Sequence, residues 1–378
     1  MYLFSLLSAA SVLETVTPVC KWLTVSLLVT TVLLGALLFF VKRSAFLPFV
    51  RFALFGVVLY LIALAILFFA LDIGKNYGEA NGSLVKLLLA PVLCLACVCF
   101  LSLIAIAVVK KRCPNKQKTV YYVCGTLFFT ALAVCFVCLT VYYNQNIKND
   151  GYYNSDTASV KQLALYIGAI LCVGVVVALA FTDKRKIDFD SRSVAYAGIC
   201  SAMSFALSYI KLWDMPQGGS VTLVSLLPVM LYGYIFGAKK GVFVGLCYGL
   251  LQAVQDPWII HPAQMLLDYP VAFSAVGLAG LFRNLPLRKK LPQIVFSLGA
   301  LVGGIFRFVC HTLSGALAFE AYAGSQNAFV YSLLYNSYVF IDIALVIVAG
   351  VFVLSSRSFV KAIETLGGKT TTNQETQS

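Results

Sequence analysis

The chain has 378 residues, 61% of them apolar and only 11% charged, with a mean hydropathy of +0.91; soluble domains carry roughly a quarter charged residues, so a water-soluble globule is excluded. Much of the apolar surface must instead face lipid. The 28 Lys and Arg against 15 Asp and Glu leave a formal charge of +13, which in a soluble chain would suggest nucleic acid, but here the bases gather in alternate loops as the positive-inside rule expects, and no nucleic-acid partner is implied.

Residues 2–13 are apolar but too short to span, with no basic segment before them, and read as an interfacial or re-entrant start. Apolar runs bounded by charge and turn residues then predict membrane helices near 22–41, 46–71, 85–109, 119–143, 160–182, 192–210, 220–236, 240–255, 266–283, 292–318 and 329–354. The expected fold class is all-α, a polytopic membrane protein of about eleven crossings. Counting Lys and Arg by side places 21 in one set of loops, 6 in the other and Arg307 inside a helix. That asymmetry predicts an external N-terminus and a cytoplasmic C-terminus in the cell membrane.

The charged stretch TDKRKIDFDSRS at 182–193 divides the chain. Residues 1–182 form a five-helix region whose helices hold no ionisable side chain in their central turns, and its role is unreadable. Residues 190–356 form a six-helix unit with nearly every polar signature, and 357–378 a cytoplasmic tail whose polar end, GGKTTTNQETQS, is expected to be disordered. The twelve cysteines lie mostly in apolar runs, where a thiol packs as a small hydrophobe. CLAC at 94–97 and CFVC at 135–138 lack further ligands nearby, so no metal site and no cofactor is expected.

At its outward end the second unit is acidic and aromatic, with Trp213, Asp214, Asp256, Trp258, Asp268, Tyr269, Phe319, Glu320, Tyr322, Tyr331, Tyr335 and Tyr338, and Lys211 as the lone cation. Carboxylates and ring faces around a partly dry cleft suit an aromatic cation; an interfacial aromatic belt with solvated acids has the same composition. Arg307 and His311 share a face of the tenth helix at i, i+4, and Tyr331, Tyr335, Tyr338 and Asp342 form a stripe on the eleventh. Helical rise places Arg307 and Asp342 near the midplane, which predicts an ion pair neutralising both, more structural than functional. His311 sits at the depth of a cavity floor, where it is either a ligand contact or a histidine satisfied by a neighbouring helix, and Asn336 suits interhelical hydrogen bonding. On the sixth helix Gly198, Ala202 and Ala206 repeat at every fourth position, a spacing that admits close approach of another helix, from a partner or from within the fold.

Three stretches then carry a resemblance: KLWDMPQGGSVTLVSLLPVMLYGYIFGAKKGVFVGLCYGLLQ, HPAQMLLDYPVAFSAVGLAGLF, and RFVCHTLSGALAF with YSLLYN. They resemble the thiamine-specific S-component of energy-coupling-factor (ECF) vitamin transporters over residues 190–356, while the first 182 residues have no counterpart in the usual short form. The resemblance implies capture of thiamine from outside and its release inside in complex with a transmembrane coupling subunit and two ATPase subunits. It implies that Asp268, where the family often has Glu, and Tyr269 hold the cationic or aminopyrimidine part of the ligand. It places His311, Gly315, Tyr331 and Asn336 at pocket positions and Trp213 as a lid aromatic. Phe319 stands where the family usually stacks a Trp, a stronger cation–π partner than Phe. It also implies that Gly198, Ala202 and Ala206 dock the coupling subunit.

An enzyme is not expected: two histidines and no HExxH leave a metalloprotease without ligands, no Ser, His and acid set has helical spacing, and GGKT at 367–370 lacks the first glycine of a P-loop. The alternative to ATP-driven uptake is a self-powered, proton-coupled transporter of a cationic vitamin or a thiamine precursor, with Asp268, His311, Arg307 and Asp342 as the relay.

Overall fold

The computed structural model describes residues 9–41, scattered positions from 43 to 60, 90–146, 158–183, 187–256 and 258–368. Leu-, Val- and Ala-rich runs of the first region form α1 (Ala9–Val41), α2 (Ala90–Arg112), α3 (Gln117–Asn146) and α4 (Ala158–Phe181). Lys110, Lys111 and Arg112 close α2 where cations oppose the helix dipole, and a 3-10 turn at Pro114–Lys116 reverses the chain into α3. The interfacial start expected at 2–13 is overtaken by α1 from Ala9 onward. Most of the helix expected at 46–71, the start of that at 85–109 and the end of the tail lie outside the described residues.

In the second region α5 (Ser191–Ser208) is capped by Asp190, which accepts from the Ser193 N–H at 3.2 Å. The antiparallel pair β1 (Lys211–Asp214) and β2 (Ser220–Thr222) follows, then α6 (Leu227–Phe236) and α7 (Ala238–Gln255). The 262–284 span is segmented: α8 (Pro262–Leu266), a π-type turn at Leu267–Val271, α9 (Ala272–Val276) and a 3-10 stretch at Gly277–Asn284. Pro270 has no N–H to offer the Leu266 carbonyl, so the α register cannot continue through it. Then come α10 (Pro292–Ala318), α11 (Ala328–Asn336), α12 (Tyr338–Ser355) and α13 (Arg357–Gly368).

The chain is a helical membrane protein, but the expected count of eleven crossings is not reproduced. Among the described residues 7 segments are long and apolar enough to cross a membrane: Cys20–Phe40, Ala90–Arg112, Pro114–Val141, Leu163–Phe181, Pro262–Asn284, Pro292–Ala318 and Ala328–Ser355. The helix expected at 220–236 begins only at Leu227, because Val221 and Thr222 are paired in the hairpin. Helices α5 and α7 exist as expected but carry Ser193, Ser201, Ser204, Lys240 and Gln255 on buried faces; helices that face protein rather than lipid do not need an apolar surface all round. The tail is helical to Gly368, with Ile363 only 3% exposed and Phe359, Val360 and Leu366 packed against the core.

All four apolar clusters among the described residues draw on both sides of the 182–193 linker. Leu103, Ile106 and Cys124 join Phe205, Tyr248 and Val339; Leu95 and Cys135 join Cys247 and Met265; Leu165 and Ala169 join Leu267 and Cys310; Val176 and Ala180 join Ala275 and Leu278. The charged linker therefore divides the sequence without dividing the core. Helix α7 and the 262–284 span approach closely, and a Cβ on Gly241 would lie 2.4 Å from the Gly277 carbonyl oxygen. Only glycine permits those backbones to touch, and the contact fixes the span that carries Asp268.

Candidate functional site

A cleft opens between the β1–β2 hairpin, the C-terminal ends of α5 and α7, the 262–284 span and helices α10 to α12, and it holds about 1040 Å³ counting its mouth. The opposite end of the bundle is basic: Lys240 lies over the Phe189 ring at 5.5 Å and Arg288 over Tyr234 at 4.9 Å.

Asp268 stands on the π-type turn, and its carboxylate is held from two elements. Gln264 Nε2, one turn earlier, donates to Oδ2 at 2.7 Å, Ser314 Oγ on α10 donates to the same oxygen at 2.7 Å, and His311 Nδ1 meets Oδ1 at 2.9 Å. With Asp268 ionised, a neutral imidazole carries its proton on Nδ1 and leaves Nε2 as an acceptor. That Nε2 is buried with no protein partner, in a residue that lines the cleft. A buried polar atom without a partner is costly, and a ligand amine would satisfy it.

Deeper in, Arg307 Nη1 lies 2.8 Å from Asp342 Oδ2, with side-chain exposures of 7% and 1%. The Arg307 guanidinium also lies 5.1 Å over the Phe273 ring, a favourable cation–π position. The other Asp342 oxygen accepts from the Thr222 N–H and hydroxyl, each at 3.2 Å. The pair therefore anchors the hairpin as well as neutralising both charges, and both residues line the cleft.

The tyrosine stripe is stacked, Tyr331 on Tyr335 at 6.1 Å and Tyr335 edge-on to Tyr338 at 6.0 Å. The Tyr335 hydroxyl donates to the Pro216 carbonyl and accepts from the Gly219 N–H, tying the hairpin tip to α11. The Tyr269 hydroxyl accepts from the Trp258 N–H and donates to the Asp256 carbonyl, each at 2.9 Å, and fixes the loop at the mouth. Gly315 is a packing position: a Cβ there would meet Ser332 Oγ at 2.2 Å. Asn336, across the same contact, donates to the carbonyls of His311 at 3.2 Å and Ser332 at 2.9 Å.

The structure thus brings Asp268, Tyr269, His311, Gly315, Phe319, Tyr331 and Asn336 to one cleft. It does not bring Trp213 there: that ring is 54% exposed on β1, and the tryptophan lining the mouth is Trp258. Hairpin pairing turns Trp213 outward, whereas Trp258 follows α7 directly into the mouth. Phe319 lines the cleft beside Tyr322, ring centres 6.1 Å apart. The expected acidic mouth is partly neutralised, since Lys211 Nζ lies 3.1 Å from Asp214 and 3.2 Å from Asp256. Burial alone would lower the Lys211 pKa, but the two carboxylates outweigh it and hold the ammonium above its usual range. Gln264 and Ser314 were missed in the sequence although each has a helical-spacing signal, Gln264 four residues before Asp268 and Ser314 three after His311.

The small-residue string is not one open face. Gly198 is exposed with no atom within 4 Å of a built Cβ, Ala202 is half-buried, and Ala206 is fully buried. Every fourth residue drifts about 40° around a helix of 3.6 residues per turn, so the stripe rotates from the surface into the bundle.

Comparison with known proteins bears on the same region. The family described as thiamine transporter protein matches residues 194–362. The thiamine transporter ThiT of Bacillus subtilis is 36% identical over 132 residues, 33% of this chain and 68% of that protein. The thiamine transporter ThiT of Lacticaseibacillus paracasei is 28% identical over 171 residues, 40% of this chain and 82% of that protein. A solved structure of ThiT from Listeria monocytogenes shares 22% identity, covers 46% of this chain and 96% of its own, and superposes with a TM-score of 0.39.

Proposed function

The chain belongs to the thiamine transporter family, and from that premise we propose that its cleft captures thiamine outside the cell for uptake across the membrane. The observation that carries this is the half-buried Asp268–His311 pair in the wall of an aromatic cleft. An aminopyrimidine offers N–H donors that suit a carboxylate and the free imidazole Nε2. A thiazolium offers a flat cation that suits the rings of Tyr331, Tyr335, Trp258 and Phe319. Asp268, Tyr269, His311, Gly315, Phe319, Tyr331 and Asn336 form the binding set, with Trp258 in the mouth position first given to Trp213. Arg307 and Asp342 support it from beneath.

The N-terminus lies outside and the C-terminus in the cytoplasm, consistent with the basic end opposite the cleft. Energy comes from separate subunits, a transmembrane coupling subunit and ATPases, and the open Gly198 end of α5 is the first candidate for the coupling contact. Residues 190–356 are the binding unit, and the binding step needs no cofactor and makes no covalent bond. Uptake of labelled thiamine into proteoliposomes, with and without the coupling and ATPase subunits, tests this. Uptake that needs those subunits and internal ATP, and that survives an uncoupler, supports it; uptake without them that collapses with the uncoupler supports the proton-coupled alternative.

A further inference from the structure

Resting on this proposed function, we infer that α4, from the region that precedes the binding unit, is a built-in back wall of the cleft that positions the Asp268–His311 pair. Leu165, Ala169 and Cys172 lie on one stripe of α4, at 0%, 2% and 9% exposure. The opposite stripe faces outward, with Leu163 61%, Ile167 48% and Ile170 70% exposed. What the inner stripe packs among is specific: its cluster contains Leu267, Cys310 and Ala318, the residues immediately before Asp268, His311 and Phe319. Successive helical residues point about 100° apart, so when one lines the cleft its predecessor turns into the bundle, and these three predecessors share one apolar cluster with α4.

The packing crosses two elements that have to stay in register. Asp268 is on the 262–284 span while His311 and Ser314 are on α10, so the 2.7 and 2.9 Å contacts between them depend on the separation of those elements. Hydrogen bonds weaken steeply with displacements of well under 1 Å beyond that range. Helix α4 packs across both, and its Cys172 shares one apolar cluster with Leu267 of the span and Cys310 of α10. Higher up, the Tyr166 ring meets the His261 ring edge-on at 5.1 Å. His261 Nδ1 accepts from the Ala263 N–H at 3.1 Å and so caps α8, the helix that carries Gln264 to Asp268. Both arms of the carboxylate's support therefore rest on one helix of the first region, which gives that region a role in binding.

The test uses the full-length purified protein and measures thiamine affinity and dissociation rate at a temperature where every unliganded variant is folded. Ala169→Leu, which overfills the seam, is expected to weaken thiamine about tenfold or more, and Leu165→Ala, which opens it, by a smaller factor. Ile170→Ala, on the lipid side, leaves affinity unchanged. Because α4 acts through Asp268, the Ala169→Leu loss largely disappears in an Asp268→Asn background; a purely structural helix would give independent losses. Unchanged affinity in Ala169→Leu, or in Leu165→Ala should the first not fold, or full additivity with Asp268→Asn, overturns the inference. Failure of the unmodified protein to bind thiamine would instead strike the proposed function.

Discussion

Breaking the Arg307–Asp342 pair one partner at a time should be far more damaging than removing both. The side chains are 7% and 1% exposed at 2.8 Å, so either single removal strands a charge in a low-dielectric interior, at a cost of about 3–5 kcal/mol. The two singles should differ. In Arg307→Met, Asp342 keeps its bonds from the Thr222 N–H and hydroxyl. In Asp342→Leu, Arg307 loses the carboxylate it pairs with and the Thr222 N–H loses its acceptor, which adds about 1–3 kcal/mol for an unsatisfied buried donor. Asp342→Leu should therefore be the less stable single. The double variant should leave only the Thr222 penalty and so be more stable than either single, a coupling of about 6–10 kcal/mol because the stranded-charge cost appears in both singles and not in the double. Unfolding in detergent, followed by helical circular dichroism for all four proteins, reads this directly. Additive losses, or a double variant worse than Asp342→Leu, would refute the reasoning that the charges neutralise each other.

Three further outcomes follow from single contacts. Asp268→Asn keeps the shape but removes the charge and sets an amide donor against Gln264 Nε2 or His311 Nδ1; titrations should show a cationic ligand weakened about 10- to 100-fold, from about 1.5–3 kcal/mol per charge-assisted bond, and a neutral analogue much less, with equal losses counting against charge pairing. His261, just outside its span, is buried and its pKa is pushed down to about 4, so the folded state favours neutral imidazole: the stability it contributes is complete above about pH 6.5 and is lost as pH falls toward 4, by at most about 3 kcal/mol. Melting temperature measured from pH 7.5 to 4.5 should fall accordingly, and His261→Asn, which can still cap α8, should flatten the slope. Gly315→Ala puts a Cβ 2.2 Å from Ser332 Oγ and should destabilise by about 1–3 kcal/mol, with partial recovery in Gly315→Ala/Ser332→Ala; an undisturbed Gly315→Ala protein would show that α11 yields freely.

Much of this was legible in the residues because charge is expensive in lipid. Asp268, His311, Arg307 and Asp342 stand out as ionisable groups inside apolar runs, and an embedded ion must face a cavity or a partner. Helical spacing then groups Tyr331, Tyr335 and Tyr338. What escaped were features that hydropathy does not encode. Strand β2 at Ser220–Thr222 reads as the start of a helix because Val221 and Leu223 are apolar, and only pairing with β1 shows otherwise. Trp213 and Trp258 are equal in composition, and the fold alone turns one outward and the other into the mouth. The charged linker at 182–193 looks like a boundary, yet the stripe of Leu165, Ala169 and Cys172 on α4 packs behind the cleft, an association between segments about a hundred residues apart that no local pattern announces.

The measurement that bears most directly on the central claim is thiamine titration of the purified chain, read by tryptophan fluorescence with each of its 3 tryptophans replaced in turn. Trp258 lines the cleft, whereas Trp22 and Trp213 are 69% and 54% exposed and lie outside it. The account predicts saturable quenching that persists in Trp22→Phe and Trp213→Phe and largely vanishes in Trp258→Phe. Quenching that never saturates, or that is unchanged without Trp258, would contradict it.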